Sequence, residues 1–430
     1  MQTQFTPAQL ADPATATAAS IIRNCVHCGF CTATCPTYLL TGDELDSPRG
    51  RIWLIKDMLE AGGPPSATAV RHVDRCLGCL SCVTTCPSGV DYRRLVDTAR
   101  DHIAEHHTRP WRDRALRRLL SVVLTRPWLF GAATRLGRYA RPLAGVVPER
   151  VAAMLAMVPR TAAVEAPLRA GVFPPIGARR GRVALHAGCV QPVLRPGIDA
   201  AAVRLLNRHG IEVVVAATGI CCGALDHHMG HAARARALAV ANIMAWEAQL
   251  ASGDLDAILV TASGCGTVVK HYEELFGDDP AWQARAGRIA ALTRDVSEYL
   301  ATLTLVPPVI APGLPVAYHA ACSLQHGQQV RNAPRDLLTA CGFDVREVGE
   351  GHICCGSAGT YSILQAEMAQ ALRNRKQVAI RATGAGIIVS GNIGCLEQLE
   401  SADTPTVHLV ELLDWATGGA APSALARVRR

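Results

Sequence analysis

The stretch that decides the fold is Cys25-Val-His-Cys28-Gly-Phe-Cys31-Thr-Ala-Thr-Cys35-Pro36, echoed by Cys76-Leu-Gly-Cys79-Leu-Ser-Cys82-Val-Thr-Thr-Cys86-Pro87. Each run spells Cys-x2-Cys-x2-Cys-x3-Cys-Pro, the thiolate pattern that holds two [4Fe–4S] clusters. The first three cysteines of a run wrap one face of a cube. The fourth lies a helical turn further on, and in paired runs it serves the other cluster. The pattern therefore predicts crossed ligand sets: Cys25, Cys28, Cys31 and Cys86 for cluster one, and Cys35, Cys76, Cys79 and Cys82 for cluster two. The proline after each fourth cysteine turns the chain and carries no N–H to satisfy. The competing reading is zinc held by four cysteines, but such sites come as separated pairs, not runs of four closed by proline.

Working outward, the 430 residues are enough for about two to four domains with real cores. A hydrophobic content of 49% and a charged content of 18% exclude a disordered chain, and 4% aromatics predict aliphatic cores. The 17 cysteines fall in metal-type groups, and Met1 to Ser20 has no long apolar run of a secretory leader. Thiolate clusters also need a reducing compartment. The expectation is a cytoplasmic protein. The apolar run from Leu300 to Val316 is broken by Pro307, Pro308, Pro312 and Pro315, so no spanning helix is expected.

Residues 1–100 read as an N-terminal arm followed by a ferredoxin-like two-cluster module. Between its cysteine runs, Ser47-Pro-Arg49-Gly-Arg51 opens the helical spacing of Ile52 to Leu59. It either sets two guanidinium groups near an anionic cluster or forms an ordinary exposed loop. Residues 101–180 change character. Arg109, Arg112, Arg114, Arg117, Arg118, Arg126, Arg135, Arg138 and Arg141 alternate with Leu119, Leu120, Val122, Val123, Trp128 and Phe130. This is a basic, amphipathic helical linker suited to a partner subunit or to peripheral contact on the inner face of the cytoplasmic membrane. The plainer alternative is a linker packed on its own module. No nucleic-acid motif accompanies the charge, so no nucleic-acid partner is expected. Gly171 to Gly181, rich in Gly and Pro, reads as a boundary.

The remainder is an internal repeat, 181–310 and 311–430. Val183-Ala-Leu-His186-Ala-Gly-Cys189 matches Val316-Ala-Tyr-His319-Ala-Ala-Cys322. After 31 further residues each copy reaches Cys-Cys-Gly, at Cys221-Cys222-Gly223 and Cys354-Cys355-Gly356. An apolar strand then ends in Gly-Cys, at Cys265 and Cys395. Strands alternating with helices such as His231 to Leu250 predict two α/β units with parallel sheets. Cysteines at the carboxyl ends of such strands gather in the crevice where open α/β sheets bind ligands. Adjacent cysteines are awkward for a disulfide and suit metal ligation or a redox surface; buried small hydrophobes are the alternative. Cys341 lies outside the repeat and reads as core. His186 and His319 read as packed or hydrogen-bonded side chains more readily than as ligands. There is no Gly-x-Gly-x-x-Gly and no Walker A, so no flavin or nucleotide is expected in this chain.

The first cysteine run, continued by Gly42-Asp-Glu-Leu-Asp-Ser-Pro-Arg-Gly-Arg51, resembles the iron–sulfur subunits of bacterial glycolate oxidases (glycolate dehydrogenases). The Cys-Cys-Gly units resemble the cysteine-rich domains of heterodisulfide reductases, lactate-utilisation proteins and anaerobic glycerol-3-phosphate dehydrogenase. The resemblance implies flavin-binding partner subunits that oxidise glycolate to glyoxylate, with this chain passing electrons towards a quinone or similar acceptor and not catalytic alone. The first motif is the narrower mark and favours glycolate; the alternatives are a subunit for lactate, another 2-hydroxy acid or glycerol 3-phosphate, or an enzyme acting through its own Cys-Cys-Gly cysteines. The fullest cysteine-rich pattern ends Cys-x-x-Cys; here Ala262 and Asn392 stand at the first of those positions. Four cysteines remain per unit where the heterodisulfide-reductase type uses five, so an additional cluster, a disulfide-prone surface and no cofactor all stay open.

Overall fold

The computed structural model describes residues 1–159, 165–310, 313–401 and 403–427. The N-terminal module is helical. Its central helix, Pro48–Ala61, starts where Ser47 Oγ accepts the Gly50 N–H and stops at Gly62, which takes a positive φ of 66°. Ile52, Ile55, Met58 and Leu59 recur at helical spacing and are buried. They meet Ile22 of Pro13–Arg23 and Leu95, Ala99 and Ile103 of Tyr92–His106 in one core that also contains Cys25, Cys76 and Cys82. Each large aliphatic side chain buried there contributes about 1.5–3 kcal/mol, so the helices are held by the same packing that fixes the cysteine loops.

Three helices follow, the basic Trp111–Leu124 and Pro127–Ala140 and then Glu149–Ala156. Part of the charge is spent inside the chain. Arg109 grips Asp74 with two bonds of 2.5 and 2.9 Å, and Arg117 reaches Asp74 and Asp113. On the same helix Ser121 Oγ donates to Asp226 Oδ1 at 2.5 Å, so the linker clasps the module on one side and the first repeat on the other. Trp111 on the first of these helices, and Trp128, Leu136 and Tyr139 on the second, stay exposed.

The repeats are α/β units with parallel sheets. In the first, β2 (Gly181–His186) lies between β3 (Ile211–Val215) and β4 (Ala257–Val260), with β5 (Thr293–Asp295) beyond β4. The second has β6 (Pro315–Tyr318) between β7 (Asp344–Glu347) and β8 (Ile387–Ser390), with β9 (Thr406–His408) outermost. All pairings among these eight strands are parallel. One strand departs from the sequence expectation: β1 (Gly171–Phe173), inside the Gly- and Pro-rich stretch, joins β3 antiparallel as an edge. It is three residues long and gains its conformation from pairing, so it carries no alternation a sequence could display. The two sheets share one apolar core running from Val183, Leu185 and Val213 to Val316, Phe343 and Val389. Cys341 belongs to that core, as its sequence position suggests. His408 Nε2 and the Thr261 carbonyl, 2.9 Å apart, and a 2.7 Å bond between Ser263 and Ser323 join the two crevice edges.

Candidate metal and redox centres

In the helical module both cysteine runs fold the same way. His27 and Gly29 in one, and Gly78 and Leu80 in the other, take positive φ at matching positions, 56°, 80°, 62° and 63°. Left-handed turns cost a side-chain-bearing residue about 1–3 kcal/mol. Their repetition at His27 and Leu80 marks a loop bent around something. Such turns swing backbone N–H groups inward, as loops that hold anionic centres do. Cys25, Cys28 and Cys31 share a pocket with Cys86 of the other run, and Arg49, Tyr92 and Cys82 complete its wall. Cys35 leaves its own run and turns to Arg51, whose Nη1 lies 3.8 Å from its sulfur. Cys76 sits 3.8 Å from Tyr92 Oη. Cys79 and Cys82 are both pushed up, first by burial and further by neighbouring thiols that include Cys35 and Cys76. Burial likewise pushes Cys31 up to about 11. Thiols this disfavoured as free anions need a cation to ionise, which is what a metal centre supplies.

Arg49 and Arg51 both face the cysteines, so the Ser-Pro-Arg-Gly-Arg stretch is not an idle loop. Arg51 is 1% exposed and donates to the His72 carbonyl at 2.6 Å, Thr37 Oγ1 at 3.0 Å and Asp46 Oδ1 at 3.3 Å. Asp46, fully buried, also meets His72 and Arg75 at 2.8 and 2.9 Å. A buried guanidinium is tolerable only when so fully satisfied. Gly50 between them is obligatory: a Cβ there would lie 2.0 Å from the Glu44 carbonyl oxygen.

In the repeats every Cys-Cys-Gly cysteine sits beyond the carboxyl end of a strand. Cys189 and Cys322 follow β2 and β6, the Cys-Cys pairs follow β3 and β7, and Cys265 and Cys395 open the helices after β4 and β8. In the second unit Cys322 and Cys354 lie 3.7 Å apart, and Cys355 and Cys395 3.5 Å apart. Within each pair one thiol is held down by the S–H of its partner while the partner is held up. Cys395 falls to about 5 and Cys354 falls as well; in the first unit Cys221 falls to about 4 and Cys265 to about 6. His186 joins Cys222 and Cys265, and His319 joins Cys355 and Cys395, with ligand atoms all within 4.8 Å of one another. Both rings are buried, as expected of packed histidines, and His186 Nε2 and both ring nitrogens of His319 meet no nitrogen or oxygen partner; what they face is the thiols of Cys265 and Cys395. A donor set of thiolates and imidazole, buried and unneutralised, fits a metal centre.

Both cysteine rows open on one cavity of about 930 Å³. Leu77 of the helical module and Leu120 and Val123 of the linker wall its other sides. Sequence reasoning missed Lys376, which is 2% exposed, donates to the Glu350 carbonyl at 2.6 Å and lies in the field of Cys354, Cys355 and Cys395. The signal was available: Ala369, Leu372, Lys376 and Ile380 share a buried helical face, on which a lysine is out of place.

The class follows from this arrangement: an iron–sulfur protein whose helical module with two cysteine runs is fused to a duplicated cysteine-rich domain. A 4Fe-4S dicluster domain matches residues 21–90, and a cysteine-rich domain matches 183–270 and 316–400. The chain is 41% identical to the glycolate oxidase iron-sulfur subunit of Escherichia coli (strain K12), over 97% of this chain and 99% of that one. It is 33% identical to the probable glycolate oxidase iron-sulfur subunit of Bacillus subtilis (strain 168), over 92% and 94%. The chain belongs to the family of glycolate oxidase iron–sulfur subunits. Lactate utilization protein A of the same Bacillus subtilis strain is 25% identical over 54% of this chain and 99% of that one. A crystal structure of a hypothetical protein from Helicobacter pylori shares the fold, with a TM-score of 0.55 at 8% identity, covering 96% of this chain and 74% of that one.

Proposed function

We propose that this chain is the electron-transfer subunit of a glycolate-oxidising complex, taking electrons from the flavin of partner subunits that turn glycolate into glyoxylate and delivering them towards a quinone or similar acceptor. Cys25, Cys28, Cys31 and Cys86 would hold one [4Fe–4S] cluster and Cys35, Cys76, Cys79 and Cys82 the other; such clusters, when bound, accept and release single electrons. The observation that carries the reading is the continuity of sulfur. Cys28 is exposed at one end of the module, and at the other Cys79 packs with Cys322 and Cys354 of the second repeat in one apolar cluster. Exposed Val26 and Phe30 beside Cys28 suit a partner surface where electrons enter. Arg49 and Arg51 offset the negative charge of thiolate-held clusters. The helical core excludes water from Cys25, Cys35, Cys76 and Cys82.

The cavity between the cysteine rows is apolar on its linker side, which supports an apolar acceptor such as a quinone. The exposed Trp111, Trp128, Leu136 and Tyr139, carried among arginines, support peripheral contact with an anionic membrane surface. No helix among the described residues is long and apolar enough to cross a membrane. The Cys-Cys-Gly units form a further redox site, and the domains divide at about residues 100, 180 and 310.

The test is anaerobic purification of the chain alone and with its flavoprotein partners. Iron and acid-labile sulfide are expected in both preparations, and glycolate-dependent reduction of a quinone analogue only in the second. Glycolate oxidation by the isolated chain, or iron-free material, overturns the proposal.

A further inference from the structure

We propose that His186 and His319 are metal ligands, each supplying one imidazole nitrogen to an iron–sulfur cluster whose other protein ligands are the four cysteines of its unit. The inference rests on the reading that the Cys-Cys-Gly units hold a redox centre, and it names the ligand that would set that centre apart from the cubanes of the helical module.

The observations are independent of one another. His186 is the last residue of β2 and His319 directly follows β6, so both project at the crevice end of the central strand of their sheet. They are 4% and 1% exposed, yet His186 Nε2 and both nitrogens of His319 meet no nitrogen or oxygen partner, only the thiols of Cys265 and Cys395 that they help hold down. Buried imidazoles almost always find one, because an unpaired ring nitrogen forfeits its hydration without return. What approaches these rings is sulfur, Cys222 and Cys265 in one unit and Cys355 and Cys395 in the other. The arrangement recurs at the same position of both repeats. Chance packing explains one histidine facing two thiols far better than two such histidines related by the internal repeat.

The surroundings hold the rings without competing for them. His186 stands edge-on to buried Trp246, centroids 5.5 Å apart and planes at 70°. The His319 backbone N–H is tied to the Val389 carbonyl at 2.8 Å. Asn392 donates its amide to Cys395 Sγ at 3.5 Å and leaves the ring nitrogens of His319 alone. Neutral imidazole is a metal ligand that takes over from thiolate in some iron–sulfur centres, where it raises the reduction potential by lowering the negative charge on the cluster.

The test uses the full chain, reconstituted anaerobically with iron and sulfide and grown with 15N-histidine. Pulsed EPR of the reduced protein is expected to show histidine nitrogen coupled directly to a cluster, with that coupling lost in the His186→Cys/His319→Cys double variant. Cysteine can take the place of imidazole as a ligand, so the double variant is expected to retain its iron while its additional centre moves to a lower midpoint potential. Iron in excess of two cubanes without histidine coupling overturns the inference and leaves the proposed function standing. Iron limited to two cubanes, or zinc in the repeats, overturns it together with the additional cluster. Loss of the ferredoxin-type EPR signals from the wild-type chain is the separate failure that strikes the proposed function itself.

Discussion

The two cysteine-rich units carry the same cysteines on the same strand order, yet they face the helical module differently. The second meets it sulfur first. Cys354 and Cys322 share an apolar cluster with Leu77, Tyr361 and Cys79, and Thr84 Oγ1 lies 2.7 Å from His326 Nδ1. The first meets it through charge. Arg93 binds Glu274 at 2.5 and 2.7 Å, and His227 lies 3.1 Å from Asp97. The interiors diverge as well. Counted from the alanine that each Cys-Cys-Gly glycine touches, Ala235 or Ala369, the same helix position holds Asn242 in the first unit and Lys376 in the second. Asn242 ties down the Cys221 carbonyl at 2.6 Å, a structural duty. Burial disfavours the Lys376 ammonium while the nearby thiols of Cys355 and Cys354 favour it; when protonated it sets a positive charge beside them, which favours a more reduced centre. Duplication has kept the cysteine geometry and let the electrical surroundings separate, so in the proposed route the second unit, packed against Cys79, is the one that would receive electrons.

The largest effect that would break this comparison is on electron delivery. In the assembled complex, Cys354→Ser is expected to lower quinone-analogue reduction by about tenfold or more, and Cys221→Ser by about two- to threefold. Ferredoxin-type EPR signals should persist in both. Equal losses would mean that the contact with Cys79 has no bearing on the route.

A second effect concerns the glycines. Gly356 has φ 91°, and a Cβ there would sit 2.6 Å from the Ala369 carbonyl oxygen. Gly223 has φ 84° and a roomier 3.0 Å to the Ala235 carbonyl. Backbone cannot swing aside, so Gly356→Ala should cost about 3 kcal/mol and Gly223→Ala about 2 kcal/mol. Thermal unfolding of the anaerobic holoprotein measures both, and a reversed order would show that the second unit has the looser fit.

How much of this was legible depends on whether the signal was local. The two cysteine runs state their own chemistry because cluster ligands lie within one or two turns, and the repeat is visible because its spacing is duplicated. For Arg49 and Arg51 the sequence left two readings open, cluster-facing or exposed loop, because it does not say which way a guanidinium turns. The pairing of Arg109 and Arg117 with Asp74 was not, since Asp74 lies on another helix; the sequence offered only a basic face and two explanations for it. β1 exists because β3 accepts it. His186 and His319 were visible as positions, but nothing in a strand pattern says whether a buried imidazole has found a partner.

The smallest predicted effect is a pH dependence led by one carboxyl of the first unit. Asp199 is 1% exposed and accepts from Gln191 Nε2 at 2.6 Å and Thr261 Oγ1 at 3.0 Å, both on Oδ1, while Oδ2 has no partner. Burial pushes its carboxyl up to about 7 against those two bonds. In the second unit Gly391 stands where Thr261 does and offers no hydroxyl for such a pair. A carboxyl raised in the folded state keeps a proton that the unfolded chain has already released. Its stabilisation is therefore complete below the ordinary carboxyl range and disappears as pH rises through about 7. Asp295, pushed up to about 6 by burial, acts with the same sign slightly lower. The thermal midpoint of the holoprotein should thus fall by a few degrees between about pH 6 and 8, and Asp199→Asn should remove most of the part above pH 6.5. A variant as pH-sensitive as the wild type would place the titrating group elsewhere and take away this distinction between the repeats.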